Sequence, residues 1–303
     1  MLSDAVTTYV VLRRATGFKF VDQGRMLKSF AAFAEARRDV VVRTATALEW
    51  AALGSSQLRR HKRLLMVRSF ALAAKAEDPR HEVPPADAFG APKFKRPVPH
   101  IYTPDEIARL IQAAARLGPE GSIRPIMYAT LFGLLAATGL RVSEALALKF
   151  SDITEDGLII RNTKFRKSRL VPLHDTVRRA LDSYVSVRSL HQTDDALFIS
   201  TSGHVQGYTG VNLTFLQLAR AIGLRGASGQ RGPRIHDLRH TFAVRSLEQC
   251  GRDRDDVARH MIALCTYMGH THIRHTYWYL EATPLLMKQI AEATETLCLG
   301  DTP

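Results

Sequence analysis

Seven prolines, Pro79, Pro84, Pro85, Pro92, Pro97, Pro99 and Pro104, crowd into one stretch of this 303-residue chain. Proline fixes φ and lacks the amide donor that helices and central strands require, so no regular element crosses the stretch. The chain therefore divides into a first domain over 1–80, a connector over 81–100 and a second domain over 101–303. Either domain is long enough to bury a core of its own. Lys93, Lys95 and Arg96 make the connector basic.

The first domain reads as all-helical. Helices are expected over Ser3–Ala15, Val21–Arg37, Thr44–Leu53 and Ser55–Glu77, with Gly17 and Gly54 at the breaks. In the second helix Met26, Leu27, Phe30, Phe33 and Ala34 recur at helical spacing. The fourth carries Arg59-Arg60-His61-Lys62-Arg63 and then Arg68, a solvated face that also suits phosphate contacts. The second domain opens at Thr103-Pro104-Asp105-Glu106, where Thr103 fits the N-cap, Pro104 the first turn and Glu106 the third helical position. Helical patterns follow over Ile126–Ala137 and again from Val142. Strands are expected at Leu158–Arg161 and Arg169–Leu173 around a tight connection, and helices resume near Val177. The fold class is thus mainly α with a small β-sheet.

Charge narrows the partners. The formal net charge is +13 and the pI near 10.0, a field that attracts polyanions. No run approaches the roughly 20 apolar residues that span a bilayer, and the start resembles no signal peptide. A soluble, cytoplasmic protein is expected, with no membrane partner. Cys250, Cys265 and Cys298 are widely spaced and form no CxxC pair, so neither a disulfide framework nor a zinc ribbon is expected.

Four clusters in the second domain could carry chemistry. Arg141 follows Gly139 within Gly139-Leu140-Arg141-Val142-Ser143-Glu144-Ala145-Leu146, and Glu144 one turn later can hold its guanidinium. Lys164 lies between the two expected strands. His236 and Arg239 in His236-Asp237-Leu238-Arg239-His240 share a helix face. Met268-Gly269-His270 precedes Tyr279.

These clusters, in this order and spacing, resemble those of the tyrosine recombinases, also called the phage integrase family. The resemblance also covers the layout: a small helical core-binding domain (SAM-like), a connector, and an α+β catalytic domain. It implies double-stranded DNA as partner and site-specific recombination through a 3′-phosphotyrosyl bond, as in integration, excision or transposition of a mobile element. Tyr277-Trp278-Tyr279-Leu280 is similar to a segment of transposon-type members. A tetrameric synapse on DNA, accessory recombinases, and a C-terminal tail docked into a neighbouring protomer are further implications.

The chemistry accounts for the residue types. Attack on a phosphodiester builds negative charge on the non-bridging oxygens, and guanidinium forks match phosphate geometry. The resemblance gives that clamp to Arg141 and Arg239. Tyr279 is implied as nucleophile; a free phenol has a pKa near 10 and needs cationic surroundings and a proton acceptor. His236 is implied in proton transfer, His270 in bonding the phosphate, and Lys164 in protonating the leaving 5′ oxygen. The turn Lys164-Phe165-Arg166-Lys167 lacks the family's usual glycine, which leaves Lys167 as a rival to Lys164, as Tyr277 is to Tyr279. Arg59, Arg60, Lys62, Arg63, Lys93, Lys95 and Arg96 are the candidate DNA contacts. Neither metal nor cofactor is called for, because the phosphotyrosyl ester conserves the bond energy. Two alternatives share much of this pattern: relaxation of DNA by a type IB topoisomerase, and a non-catalytic DNA-binding protein.

Overall fold

The computed structural model describes residues 1–90, 98–161, 168–191, 195–249, 254–269 and 276. The chain forms two compact units, Met1–Pro97 and Val98–Pro303.

The first unit is built from α1 (Leu2–Ala15), α2 (Val21–Glu35), α3 (Thr44–Ala52) and α4 (Gln57–Glu77). Leu2, Val6 and Val10 form one buried stripe on α1, spaced four residues apart as the helical period requires. They meet Leu27, Phe30 and Ala34 of α2 and Leu64, Val67 and Phe70 of α4. Phe30 sets its ring edge-on to Trp50 at 5.5 Å. Ser56 caps α4 by accepting from the Arg59 amide. Residues 81–90, part of the proline-rich stretch, belong to this unit: Val42 donates to His81 Nδ1 at 3.0 Å, Thr44 donates to Glu82 at 2.7 Å, and Val83 and Phe89 lie against the core.

The second unit contains α5 (Pro104–Ala114), α6 (Arg124–Thr138), α7 (Val142–Ala145), the strands β1 (Ile153–Thr154), β2 (Gly157–Ile160) and β3 (Arg169–Val171), then α8 (Asp175–Arg188), α9 (Tyr208–Ala221), α10 (Asp237–Glu248) and α11 (Arg254–Met268). Thr103 and Glu106 cap α5 reciprocally, as the sequence predicts. α6 is the central helix, burying Met127, Tyr128, Leu131, Phe132, Leu134 and Leu135, with α5, α8 and α10 against it. None of the described helices is long and apolar enough to cross a membrane.

Two details depart from the sequence reading. The helix expected from Val142 lasts a single turn. After a turn at Leu146–Ala147, Leu148 accepts from the Leu197 amide at 2.8 Å and Lys149 pairs with Ala196, so the chain leaves the helical path for extended pairing. The sheet has three antiparallel strands, in the order β1-β2-β3, rather than two. The extra strand turns through Glu155-Asp156 into Gly157, the first residue of β2, which takes φ +142 and where any Cβ would lie 2.3 Å from the Val171 carbonyl oxygen. In β2–β3 Ile160 pairs with Arg169, and residues 161–168 join them.

The start of the second unit is fastened to α10. Tyr102 donates its amide to Thr241 Oγ1 (2.9 Å) and its hydroxyl to the Arg234 carbonyl (3.0 Å), while its carbonyl accepts from Arg245 (2.7 Å).

Candidate active site

Gly139 ends α6 in the left-handed region, φ +61. The turn brings Arg141 to the N-cap of α7 and aims the Gly139 carbonyl at α10, where Arg239 Nη1 donates to it at 2.6 Å. Arg239 is only 2% exposed, and its Nη2 donates to the Met268 carbonyl at 2.5 Å. Arg141 Nη2 donates to the next carbonyl, Gly269, at 3.3 Å. Two arginines far apart in sequence thus converge on consecutive carbonyls at the end of α11. Arg141 keeps about a third of its side-chain surface open.

Glu144 organises one side. Its two oxygens accept from the Arg141 amide (3.0 Å), Arg141 Nη1 (2.6 Å) and Arg169 Nη1 and Nη2 (3.2 and 2.9 Å). Burial alone pushes the carboxyl pKa up. The Arg169 bonds, the Arg141 amide and both cationic charges outweigh it and hold the pKa at about 2. One carboxylate between two guanidiniums leaves an excess of positive charge, which favours an anion. The sign of the stability effect follows: Glu144 contributes above its ordinary value of 4.5, and the contribution disappears as pH falls toward 2. Across that window wild-type protein should lose about 3 kcal/mol more than Glu144→Gln in urea unfolding. Parallel curves for the two proteins would refute this account.

His236 stands at the N-cap of α10, and its ring meets His240 edge-on at 4.8 Å. Desolvation first, then repulsion from Arg239, lowers its pKa to about 4, against a smaller opposing pull from Asp237. The residue keeps exposed surface, so water offsets part of the desolvation; repulsion from Arg239, Arg234 and Arg141 still fixes the direction. The imidazole is therefore neutral at pH 7 and able to take a proton. Asp237 itself is engaged by Arg234, which donates to it from its backbone, Nε and Nη2.

The structure brings together Arg141, His236 and Arg239 from the sequence-derived set. Lys164, His270 and Tyr279 lie outside the described residues, as do their rivals Lys167 and Tyr277, and Lys93, Lys95 and Arg96. Arg169 did not stand out in the sequence: it read as an ordinary strand residue, and only its place directly after the Lys164 turn hinted at a role. In the first unit, Arg59, Lys62 and Arg63 of α4 line a recess of about 620 Å³ with Arg25 and Trp50. Arg63 lies over the Trp50 ring, 3.8 Å from its centre, and burial lowers its pKa. Arg60 instead donates to the Gly54 carbonyl at 2.9 Å, within its own helix start.

Comparison with known proteins identifies the family. The model of the phage integrase family matches residues 101–285. The chain is 40% identical over 302 residues to the putative integrase/recombinase y4rB of Sinorhizobium fredii, covering 96% of each. It is 34% identical over 299 residues to the putative integrase/recombinase y4rE of the same organism, covering 96% of this chain and 95% of the relative. Among solved structures, the XerH site-specific recombinase in its post-cleavage complex with a palindromic difH substrate matches with a TM-score of 0.66 at 17% identity, covering 97% of this chain and 85% of that one. The chain belongs to the phage integrase family, the tyrosine recombinases.

Proposed function

We propose that the chain is a site-specific DNA recombinase that cuts and rejoins double-stranded DNA through a 3′-phosphotyrosyl intermediate. The observation that carries this reading is the convergence of Arg141 and Arg239 on the Met268–Gly269 carbonyls, immediately before His270 in sequence. The clamp they form suits the charge that builds on a phosphorus under attack. In the forward step the Tyr279 oxygen bonds to phosphorus as the P–O5′ bond breaks. The phenol proton passes to the neutral imidazole of His236, and Lys164 gives a proton to the leaving 5′ oxygen. His270 bonds the phosphate. In the reverse step a 5′ hydroxyl from another strand attacks phosphorus and frees the tyrosine.

Arg59, Lys62 and Arg63 supply phosphate contacts from the first unit, and Lys93, Lys95 and Arg96 continue them along the connector. The reaction takes place in a tetrameric synapse in the cytoplasm, with the C-terminal tail docked into a neighbouring protomer. The substrate is the end of a mobile element, and accessory recombinases are further partners.

A randomised library of duplexes nicked beside each candidate phosphate tests the class. The nick lets the short 5′-ended fragment diffuse away, so that the covalent adduct accumulates. Peptide mapping should place the DNA on Tyr279. Attachment at Tyr277, or no adduct at all, would defeat the assignment. Relaxation of any supercoiled plasmid by isolated monomers would mark a topoisomerase instead.

A further inference from the structure

Among the described residues, Arg169 is a nearly buried cation that contacts the proposed phosphate clamp without a role in it. It is the first residue of β3, directly after the connection that contains Lys164, and only 11% of its side chain is open. Both terminal nitrogens donate to Glu144, the carboxylate that also holds Arg141 from its amide and its Nη1. Its Nε is buried and makes no hydrogen bond among the described residues. The opposite side is equally constrained. Gly269 has φ +63, and a Cβ there would lie 2.9 Å from Arg169 Nη1, so the absence of a side chain at 269 makes room for the guanidinium. The carbonyl of that same glycine accepts from Arg141.

From this arrangement we infer that Arg169 is a positioning residue, which orients Arg141 by fixing the plane of the Glu144 carboxylate. Held by Arg141 alone, the carboxylate has one bond on each oxygen, from the Arg141 amide and from Nη1, and can still twist about its last torsion at the expense of the amide bond. The two-pronged bond from Arg169 removes that freedom, and it does so from the strand rather than from the helix that carries Arg141. Charge alone cannot substitute, because a lysine ammonium offers a point charge and not a planar fork. The arrangement also sets the protonation of the network: with Arg169 in place Glu144 stays ionised, and the excess positive charge remains on the clamp.

This inference rests on the recombinase reading, and its test separates the two. Single-turnover cleavage is measured on the trapped nicked duplex and on the same duplex with a methylphosphonate at the scissile position, which removes one non-bridging charge and lessens the need for an oriented Arg141. On the phosphodiester, Arg169→Gln should cleave roughly 30-fold more slowly than wild type, and Arg169→Lys at least roughly 10-fold more slowly, with duplex affinity within about twofold. On the methylphosphonate the gap between wild type and Arg169→Gln should shrink to about threefold or less. Thermal unfolding of Arg169→Lys, which keeps the buried charge, checks that the protein is folded. Full rescue by lysine, or an equal gap on both substrates, overturns the inference while leaving the recombinase reading intact. Absence of any adduct from wild type overturns both.

Discussion

Strand cleavage should fall by about 10³-fold when Arg239 is replaced by glutamine, the loss typical of removing a fixed donor from a developing oxyanion. The side chain is 2% exposed and anchors two carbonyls, those of Gly139 and Met268, which belong to the end of α6 and the end of α11. Glutamine is shorter and neutral; it cannot span both acceptors and carries no charge to the phosphate. Each buried carbonyl left without a donor costs about 1–3 kcal/mol, so the variant should also unfold at lower temperature. The two effects are separated by measuring single-turnover cleavage on protein shown to be folded at the assay temperature, with duplex affinity alongside. Arg239→Lys keeps the charge but not the fork and should still lose about 10²-fold. A folded Arg239→Gln that cleaves within tenfold of wild type would remove Arg239 from the clamp.

The second large effect is on stability. Gly139 holds φ +61, and an added Cβ would lie 2.5 Å from Phe242 Cδ1. Phe242 cannot simply withdraw, because its other face stacks on Tyr267 with ring centres 5.3 Å apart. Gly139→Ala therefore meets a left-handed backbone penalty of about 1 kcal/mol and overpacking of about 1–3 kcal/mol. For a unit of this size that corresponds to a drop in melting temperature of roughly 5–15 °C. The clash should ease when Phe242 is made smaller. In a Phe242→Leu background, Gly139→Ala should cost at least about 1 kcal/mol less than it does alone. Additive losses in that double-mutant cycle would show that Phe242 is not the obstacle. Because the displaced carbonyl is the one Arg239 holds, the folded fraction of Gly139→Ala should also cleave slowly.

Local chemistry made much of the architecture legible. The proline run marked the stretch in which the two units part, although residues 81–90 fold back onto the first unit through His81 and Glu82. Thr103 and Glu106 marked the start of α5, because a capping box satisfies the same amides wherever it occurs. The spacing of His236 and Arg239 placed them at one helix start, and Glu144 was correctly paired with Arg141 one turn away. Contacts between distant segments were harder to read. Leu146 to Leu148 is apolar enough to continue a helix, yet the chain turns at Leu146–Ala147, and Leu148 and Lys149 pair instead with Leu197 and Ala196. β1 was overlooked although Asp156-Gly157 is a strong turn signal, since two residues of strand give no alternation to detect. Arg169 carried no signal beyond its place after the Lys164 turn, because its significance lies in a carboxylate on another element.

Tyr102 shows where the connector ends in a physical sense. Its amide, carbonyl and hydroxyl are all committed to Thr241, Arg245 and Arg234, residues within or just before the helix that carries Arg239. A shift of the backbone at residue 102 therefore bears directly on α10. Anchorage of this kind makes Tyr102 part of the same rigid frame as the helix that holds Arg239, so a change at either end is felt at the other.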